Sequence, residues 1–163
     1  MRFPLDNYKY QIPTGEDLGA FGVFRKFDRH TGVDLYCEHG DDVLAMEDGE
    51  IIAIEWFTGP SVNMPWWNDT MAVAVKGESG IINYCELVAH PTLKVGDNIK
   101  EGRLIGLITP VLKVDKGKVP STSMLHLELY SEYNGEWVMW ELDQPQPTNL
   151  MNPTELLQNS LLM

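Results

Sequence analysis

Cysteine is scarce in this chain, because Cys37 and Cys85 are the two cysteines among its 163 residues. Two cysteines can form at most one disulfide bond, so the chain is not a small domain held together by a disulfide framework. Cys37 lies an odd number of residues after Asp34 and would face away from it on a continuous strand. We expect both cysteines to be free, buried thiols that serve packing.

Basic residues and long apolar runs are also lacking. Twelve Lys and Arg stand against 24 Asp and Glu, which gives a formal net charge of -12 at pH 7. Nucleic acid and anionic membranes would be repelled, whereas neutral or cationic partners are favoured. Residues 1–10 contain Pro4, Asp6 and no long apolar run, so neither a secretory signal nor a membrane span is visible. By default we expect a cytoplasmic protein.

What the chain does contain is many short apolar runs. With 44% hydrophobic residues, the 163-residue chain can form one globular domain with its own core. The runs are rich in Val and Ile and too short for typical helices, so they predict an all-β middle of the chain. Asn134-Gly135 predicts a hairpin turn with a return strand at 137–142. The four clearest runs are 43–46, 51–54, 71–75 and 81–87.

The segment 40–54 is weakly similar in sequence to the segment 96–108. Both segments begin with Gly-Asp, contain a further glycine and then enter an Ile-rich strand. Such a repeat predicts a barrel or sandwich made from a duplicated motif. Chance recurrence of Gly-Asp turns is the alternative.

Composition also suggests three parts. Residues 1–20 form an irregular lead-in with Pro and Gly, and residues 21–142 form the main domain. Residues 143–163 form a linker and a short C-terminal helix packed on the same domain. Asn152 is the predicted N-cap of this helix and Pro153 its first residue.

The residues most suited to chemistry lie in His30-Thr31-Gly32-Val33-Asp34 and in Met124-Leu125-His126-Leu127-Glu128. Side chains two apart on a strand share a face, so Met124, His126 and Glu128 point one way. His30, Asp34 and His126 form a candidate zinc triad, since zinc accepts nitrogen and oxygen ligands. Three protein ligands leave one coordination position open, which indicates chemistry rather than a structural role.

Two loops are candidates for the walls of a groove. The loop 58–69 carries Trp66 and Trp67, which we predict to bind substrate. The loop 109–123 carries three lysines and two prolines. The alternative for the tryptophans is that they cap one end of the barrel.

These motifs resemble the lysostaphin-type zinc metallopeptidases, which cut peptide bonds in bacterial peptidoglycan. The resemblance implies a β-sheet core of duplicated half-barrel motifs. It places the family's His-x-x-x-Asp motif on His30 and Asp34 and the second His of its His-x-His motif on His126, which implies the same zinc triad. The matching stretches are Phe21-Gly22, His30 to Leu35, Gly40 to Gly49, Tyr84 to Leu87, Val95 to Gly106, Ser121 to Glu128 and Asn152-Pro153.

The chain departs from the family at the two histidines that act on the attacking water and on the oxyanion. The resemblance aligns these positions with Met124 and Glu86. A thioether cannot transfer a proton, and a carboxylate cannot stabilise an oxyanion unless it is protonated. His39 and His90 lie in apparent turns, and we expect them to be surface residues rather than displaced catalysts.

Two functions follow from the same triad, and whether the chain is an enzyme stays open at this point. In the first, a zinc-dependent peptidase cuts peptidoglycan peptides, with Glu86 as general base and Tyr84 on the same strand face. In the second, a catalytically silent, zinc-containing relative binds a cell-wall peptide or a protein partner. The cell-wall role implies a phage-encoded or virion-carried protein that is released to the wall.

Overall fold

The short Val- and Ile-rich runs form strands, as predicted. The computed structural model describes residues 1–114 and 123–162, and within them the fold is mostly β-sheet with one short C-terminal helix. No helix in these two ranges is both long and apolar enough to cross a membrane. The elements are β1 (Val33–Tyr36), β2 (Asp42–Leu44), β3 (Gly49–Thr58), β4 (Thr70–Gly77), β5 (Gly80–Ala89), β6 (Asn98–Ile99), β7 (Leu104–Ile108), β8 (Met124–Tyr130), β9 (Leu150–Met151) and α1 (Thr154–Leu161), with a 3-10 turn at Pro60–Val62.

The strands form one antiparallel sheet in the order β1-β8-β5-β4-β3-β6. Strand β7 pairs with β2 and β5, and β9 pairs with β8. The central strand β8 is buried on both faces. Leu125, Leu127 and Leu129 enter the apolar core, so the opposite face of β8 needs polar partners for its buried side chains.

The predicted internal repeat is visible as two turns of the same shape. The N–H of Glu38 donates to the Asp41 carboxylate over 2.9 Å, and the N–H of Lys94 donates to the Asp97 carboxylate over 3.0 Å. The glycine before each aspartate has a positive φ, 91° in the first turn and 97° in the second. An L side chain rarely adopts this conformation, which explains the Gly-Asp pair in both copies.

Each of these turns pairs with the Ile-rich strand of the other copy. The Ile108 N–H donates to the Asp41 carbonyl and the Ile51 N–H donates to the Asp97 carbonyl, both over 2.9 Å. The short strand that follows each turn continues this exchange, because β2 pairs with β7 and β6 pairs with β3. The two halves therefore hold each other in place, as a duplicated half-barrel requires.

The C-terminal part differs from the prediction. The prediction of a return strand at 137–142 is wrong, because β9 pairs with β8 instead. The segment near Trp140 lies against the loop at Arg29. The helix begins at Thr154, whose N–H donates to the Asn152 side chain over 3.0 Å. Leu157 is fully buried in the main core, so this helix packs on the same domain.

Cys37 and Cys85 are free and buried, as predicted.

The lysine loop is described only at its start and its end. At its start, the Lys113 ammonium donates to the Pro65 carbonyl over 2.6 Å. Residues 115–122, with Lys116 and Lys118, lie outside the described residues, as do their predicted contacts.

Tyr84 belongs to the apolar core. Its ring is fully buried, and its hydroxyl accepts the N–H of Met46 over 2.9 Å. Its cross-strand neighbour is Leu127, which also faces the core. Tyr84 therefore supports the backbone at Met46.

We predict that Tyr84→Phe destabilises the fold because it leaves the buried Met46 N–H without an acceptor. The expected loss in the free energy of unfolding is about 1 to 3 kcal/mol, measured by urea denaturation. Tyr133→Phe is the control, since the exposed Tyr133 hydroxyl donates to the carbonyl of Gly135, a neighbour in the chain. Equal stability of Tyr84→Phe and wild type would contradict this assignment.

Candidate metal centre

Two histidines and one aspartate converge where β1 pairs with β8. Asp34 lies directly opposite His126 in the strand register, and His30 precedes β1. Asp34 Oδ1 is 2.8 Å from His126 Nδ1 and 3.1 Å from His30 Nε2, and the two imidazole nitrogens are 3.1 Å apart. All three side chains are buried. The structure thus brings together the predicted triad.

Gly32 allows this convergence. A Cβ atom at this position would lie 2.4 Å from the Leu127 carbonyl oxygen and 3.0 Å from His126 Cε1. Backbone atoms of β8 cannot retreat from such a contact without breaking the strand pairing. The motif glycine is therefore required by the close approach of β8 and not by a left-handed backbone.

The outward-facing nitrogen of each histidine is engaged by an acceptor. His30 Nδ1 donates to the Ala20 carbonyl over 2.9 Å, and His126 Nε2 lies 3.5 Å from Glu128 Oε2. Glu128 is itself held by the Thr31 hydroxyl at 2.6 Å and the Asn83 amide at 2.9 Å. These contacts fix the ring orientations and leave His30 Nε2 and His126 Nδ1 facing inward, toward Asp34.

The donor set fits a zinc ion. Two imidazole nitrogens and one carboxylate oxygen face each other at 2.8 to 3.1 Å, and either shared protons or a cation can hold such atoms together. Ligand atoms around a tetrahedral zinc are about 3.3 Å apart, close to the observed spacing. In the described ranges, the group of His, Cys, Asp and Glu side chains able to hold a metal is His30, Asp34 and His126.

Protons compete for the same atoms. Burial lowers the pKa of His126, but its hydrogen bonds to Asp34 and Glu128 outweigh burial and raise that pKa well above the usual value. Burial raises the pKa of Asp34, but hydrogen bonds from His126 and His30 hold it well below its usual range. Metal binding should therefore release a proton from His126.

Glu86 reaches this region through a β-bulge. Met71 of β4 pairs with Leu87 and the next residue pairs with Cys85, so Glu86 is unpaired and has a φ of 71°. Burial, and next the charge of Asp34, raise the pKa of Glu86 to about 8. Glu86 is outside the ligand group, yet it is close enough to sense the Asp34 charge.

Because of this bulge, the strand faces predicted for Tyr84, Cys85 and Glu86 are wrong. We expected Tyr84 and Glu86 on one face and Cys85 on the other. In the structure, Cys85 lies opposite His126 with its sulfur 3.9 Å from Glu128 Oε1, while Tyr84 faces the core. Burial, and next the charge of Glu128, raise the pKa of Cys85 well above its usual value, so its thiol stays protonated.

A second bulge places Phe57 beside the triad. Trp56 pairs with Met71 and Thr58 with Thr70, which leaves Phe57 unpaired between them. Its ring stacks on His126 with centroids 5.7 Å apart and an interplanar angle of 29°. The sequence analysis did not identify Phe57, and no motif marks it. A Thr-Gly-Pro turn directly after a long strand is the one local signal that the strand end is irregular.

Of the other predicted residues, Met124 lies near the triad on β8, whereas His39 and His90 lie outside it. Met124 pairs with Tyr36, two residues along both strands from the pair of Asp34 and His126. His39 is exposed, and His90 accepts the Thr92 hydroxyl over 2.8 Å in a turn outside the triad. Both histidines remain surface residues, as the sequence indicated.

The tryptophan loop follows β3 directly after Phe57 and Thr58. Trp66 is exposed, and its ring meets Trp67 edge-on with centroids 6.0 Å apart. The Asn68 amide donates to two carbonyls in the segment 110–112, over 3.0 and 3.2 Å. The two predicted wall loops are thus tied to each other, and substrate contact by the tryptophans stays a prediction.

Comparisons with known proteins agree with this geometry. The sequence profile of peptidase family M23 matches residues 28–141. The fold is similar to that of CbpA from L. salivarius REN, with a TM-score of 0.58, 19% identity, and coverage of 91% of this chain and 90% of that one. It is also similar to the catalytic domain of the antimicrobial peptidase lysostaphin from Staphylococcus simulans, with a TM-score of 0.56, 19% identity, and coverage of 91% and 92%. No match was found among curated protein sequences.

We predict that the protein binds one equivalent of zinc through His30, Asp34 and His126. His126→Ala should lose the metal, because two ligands remain and Asp34 loses its buried partner. His39→Ala and His90→Ala are matched controls and should keep it. Metal analysis after dialysis measures the content, and stoichiometric zinc in His126→Ala would disprove the assignment.

We also predict that Glu86 makes the metal-free protein less stable as the pH rises. Its pKa in the folded state, about 8, exceeds its ordinary value of 4.5, so the folded state binds more protons between these values. Stability from this group is complete below pH 4.5 and is lost as the pH approaches 8. The difference in unfolding free energy between wild type and Glu86→Gln should fall by up to about 1.4 kcal/mol per pH unit. Urea denaturation with a chelator measures it, and a difference independent of pH would contradict this prediction.

Proposed function

The chain belongs to peptidase family M23, and from this premise we propose that it is a zinc-dependent endopeptidase for peptidoglycan peptides, with Glu86 as general base. The family acts on peptidoglycan peptide cross-links. The observation that carries the proposal is the convergence of His30, Asp34 and His126, with the buried Glu86 coupled electrostatically to Asp34 and His126.

His30, Asp34 and His126 would hold the zinc ion, through Nε2, Oδ1 and Nδ1 respectively. The chemistry that a bound zinc supplies is polarisation of the scissile carbonyl and activation of a water molecule. The protein's own contribution is to orient both imidazoles through the Ala20 carbonyl and Glu128, and His126 gives up a proton when the metal binds. Phe57 covers one ring face of His126 and limits the access of bulk water to it.

Glu86 would accept the proton of the attacking water and then donate it to the leaving amine. Its pKa of about 8 in the metal-free protein reflects burial first and the negative charge of Asp34 next. A positive charge at the triad favours the ionised carboxylate and moves this pKa toward the neutral range. A carboxyl group that titrates near neutrality can both take and return a proton.

Glu86 and Met124 occupy the positions where the resemblance places two catalytic histidines. A thioether at Met124 neither donates nor accepts a proton at neutral pH. The Tyr84 hydroxyl accepts the Met46 N–H in the core, so it offers no second base at the site. We therefore assign proton transfer to Glu86 alone.

Charge and loop placement support a peptide substrate. The net charge of -12 favours neutral or cationic chains over nucleic acid. The loop after β3 carries the exposed Trp66, is tied through Asn68 to the segment 110–112, and follows Phe57, whose ring stacks on His126. We propose that Trp66 and Trp67 contact the peptide chain on this side.

Hydrolysis of peptidoglycan by the zinc-loaded protein tests the proposal. Glu86→Gln should lower the rate at least a hundredfold with zinc retained, since the amide keeps the shape and loses the basicity. Glu78→Gln, in the exposed turn between β4 and β5, is the matched control and should be unaffected. Release of soluble peptides from purified cell walls measures the rate.

Two outcomes would contradict this proposal. If Glu86→Gln cleaved cell walls at the wild-type rate, Glu86 would not be the general base. A zinc-loaded wild type that is inert on cell walls, but gains cleavage in the double variant Glu86→His and Met124→His, would indicate instead a silent relative that binds peptide. This second function is favoured by Met124, because its thioether cannot transfer a proton at a position where the resemblance places a catalytic histidine.

A further inference from the structure

Asp34 uses both of its carboxylate oxygens. Oδ1 faces the two histidines, and Oδ2 accepts a hydrogen bond from Arg25 Nη2 over 2.9 Å. The same Nη2 atom donates to the Leu18 carbonyl over 2.6 Å. Arg25 is thus anchored to the backbone on one side and to the candidate metal ligand on the other.

The anchor belongs to a short segment that supports the whole triad. Three consecutive carbonyls each accept from a different part of the site. Leu18 accepts the Arg25 side chain, Gly19 accepts the Asp34 N–H over 2.9 Å, and Ala20 accepts His30 Nδ1. This segment precedes residue 28, where the family match begins.

Arg25 is held in place by its own loop. The loop folds back through a bridge between Phe24 and Arg29. Arg29 lies over the rings of Phe24 and Trp140, at 4.2 and 4.3 Å from their centroids, and its Nε donates to the Gly22 carbonyl. Arg25 therefore reaches Asp34 from a fixed loop.

We propose that Arg25 is a positioning residue that makes Asp34 a one-oxygen metal ligand. By occupying Oδ2, the guanidinium prevents the carboxylate from turning and offering both oxygens to the metal. Three ligands that each offer one atom leave the fourth coordination position open, which the proposed hydrolysis needs. The inference rests on the zinc site proposed above.

If Arg25 acted only through its charge, its removal would change the zinc affinity in the opposite direction. A guanidinium near a dication repels it, so loss of Arg25 would strengthen metal binding if Arg25 acted only as a charge. Loss of a group that orients a ligand weakens binding, typically 10- to 100-fold. The direction of the change therefore separates positioning from simple electrostatics.

The experiment measures zinc affinity by chelator competition and ligand geometry by the visible spectrum of the cobalt-substituted protein. Arg25→Met should weaken zinc binding at least tenfold, and the cobalt absorption should fall as Asp34 becomes a two-oxygen ligand and the coordination number rises. Arg25→Lys should recover part of the affinity, because an ammonium can still donate to Oδ2.

Lys26→Met is the matched control, since it removes an exposed positive charge from the same loop, and the Lys26 ammonium lies over the Phe27 ring rather than at Asp34. It should leave the cobalt spectrum unchanged. Equal or tighter zinc binding by Arg25→Met, or the same spectral change in Lys26→Met, would overturn the role of Arg25. A wild type that binds neither zinc nor cobalt would instead overturn the metal site itself.

Discussion

The pairing of Asp34 with His126 across β1 and β8 is the interaction on which the site depends. It places a buried carboxylate between two imidazoles, an arrangement that would be costly without complete hydrogen bonding. The protein satisfies each outward atom, with the Ala20 carbonyl on His30, Glu128 on His126 and Arg25 on Asp34. The three remaining donor atoms face inward, where shared protons or a bound cation can join them.

The groups that surround the triad come from irregular positions in the sheet. Met71 of β4 has a bulge on each side, one at Phe57 in β3 and one at Glu86 in β5. A bulge changes the direction of a side chain and is frequent beside active sites. The left-handed backbone at Glu86 carries strain of about 1 to 2 kcal/mol in a residue with a Cβ atom. Such strain at a carboxyl group next to a metal site is consistent with a functional role.

The duplicated framework explains how a small sheet keeps this site rigid. The turn at Asp41 is fixed by the strand of the second copy, and the turn at Asp97 by the strand of the first. Neither half can open without breaking bonds in the other. The triad is attached to this framework through β8, whose Leu125, Leu127 and Leu129 are buried in the core on its opposite face. Motion at the ligands is therefore coupled to unpacking of the core.

The sequence by itself determined the features that depend on local rules. Strand periodicity, Gly-Asp turn chemistry and the sequence motifs act over a few residues, so they predicted the all-β fold, the repeat and the three residues of the candidate metal site. The helix start is one residue later than predicted, with Pro153 at the N-cap, although the Asn152 side chain still accepts the Thr154 N–H. The free, buried state of both thiols was expected from a chain with two cysteines, and Cys37 packs in the core as its odd spacing from Asp34 indicated.

Only the tertiary structure decided which groups surround the ligands. The alternation rule holds on a continuous strand, and it failed at Tyr84 and Glu86 because a bulge arises from pairing with a distant strand. The return strand at 137–142 failed for a similar reason, since β9 competes for the same edge of β8. Phe57 and Arg25 reach the site through contacts with residues that are near in space but not in the local pattern. Such contacts depend on how the whole chain packs, and periodicity carries no information about them.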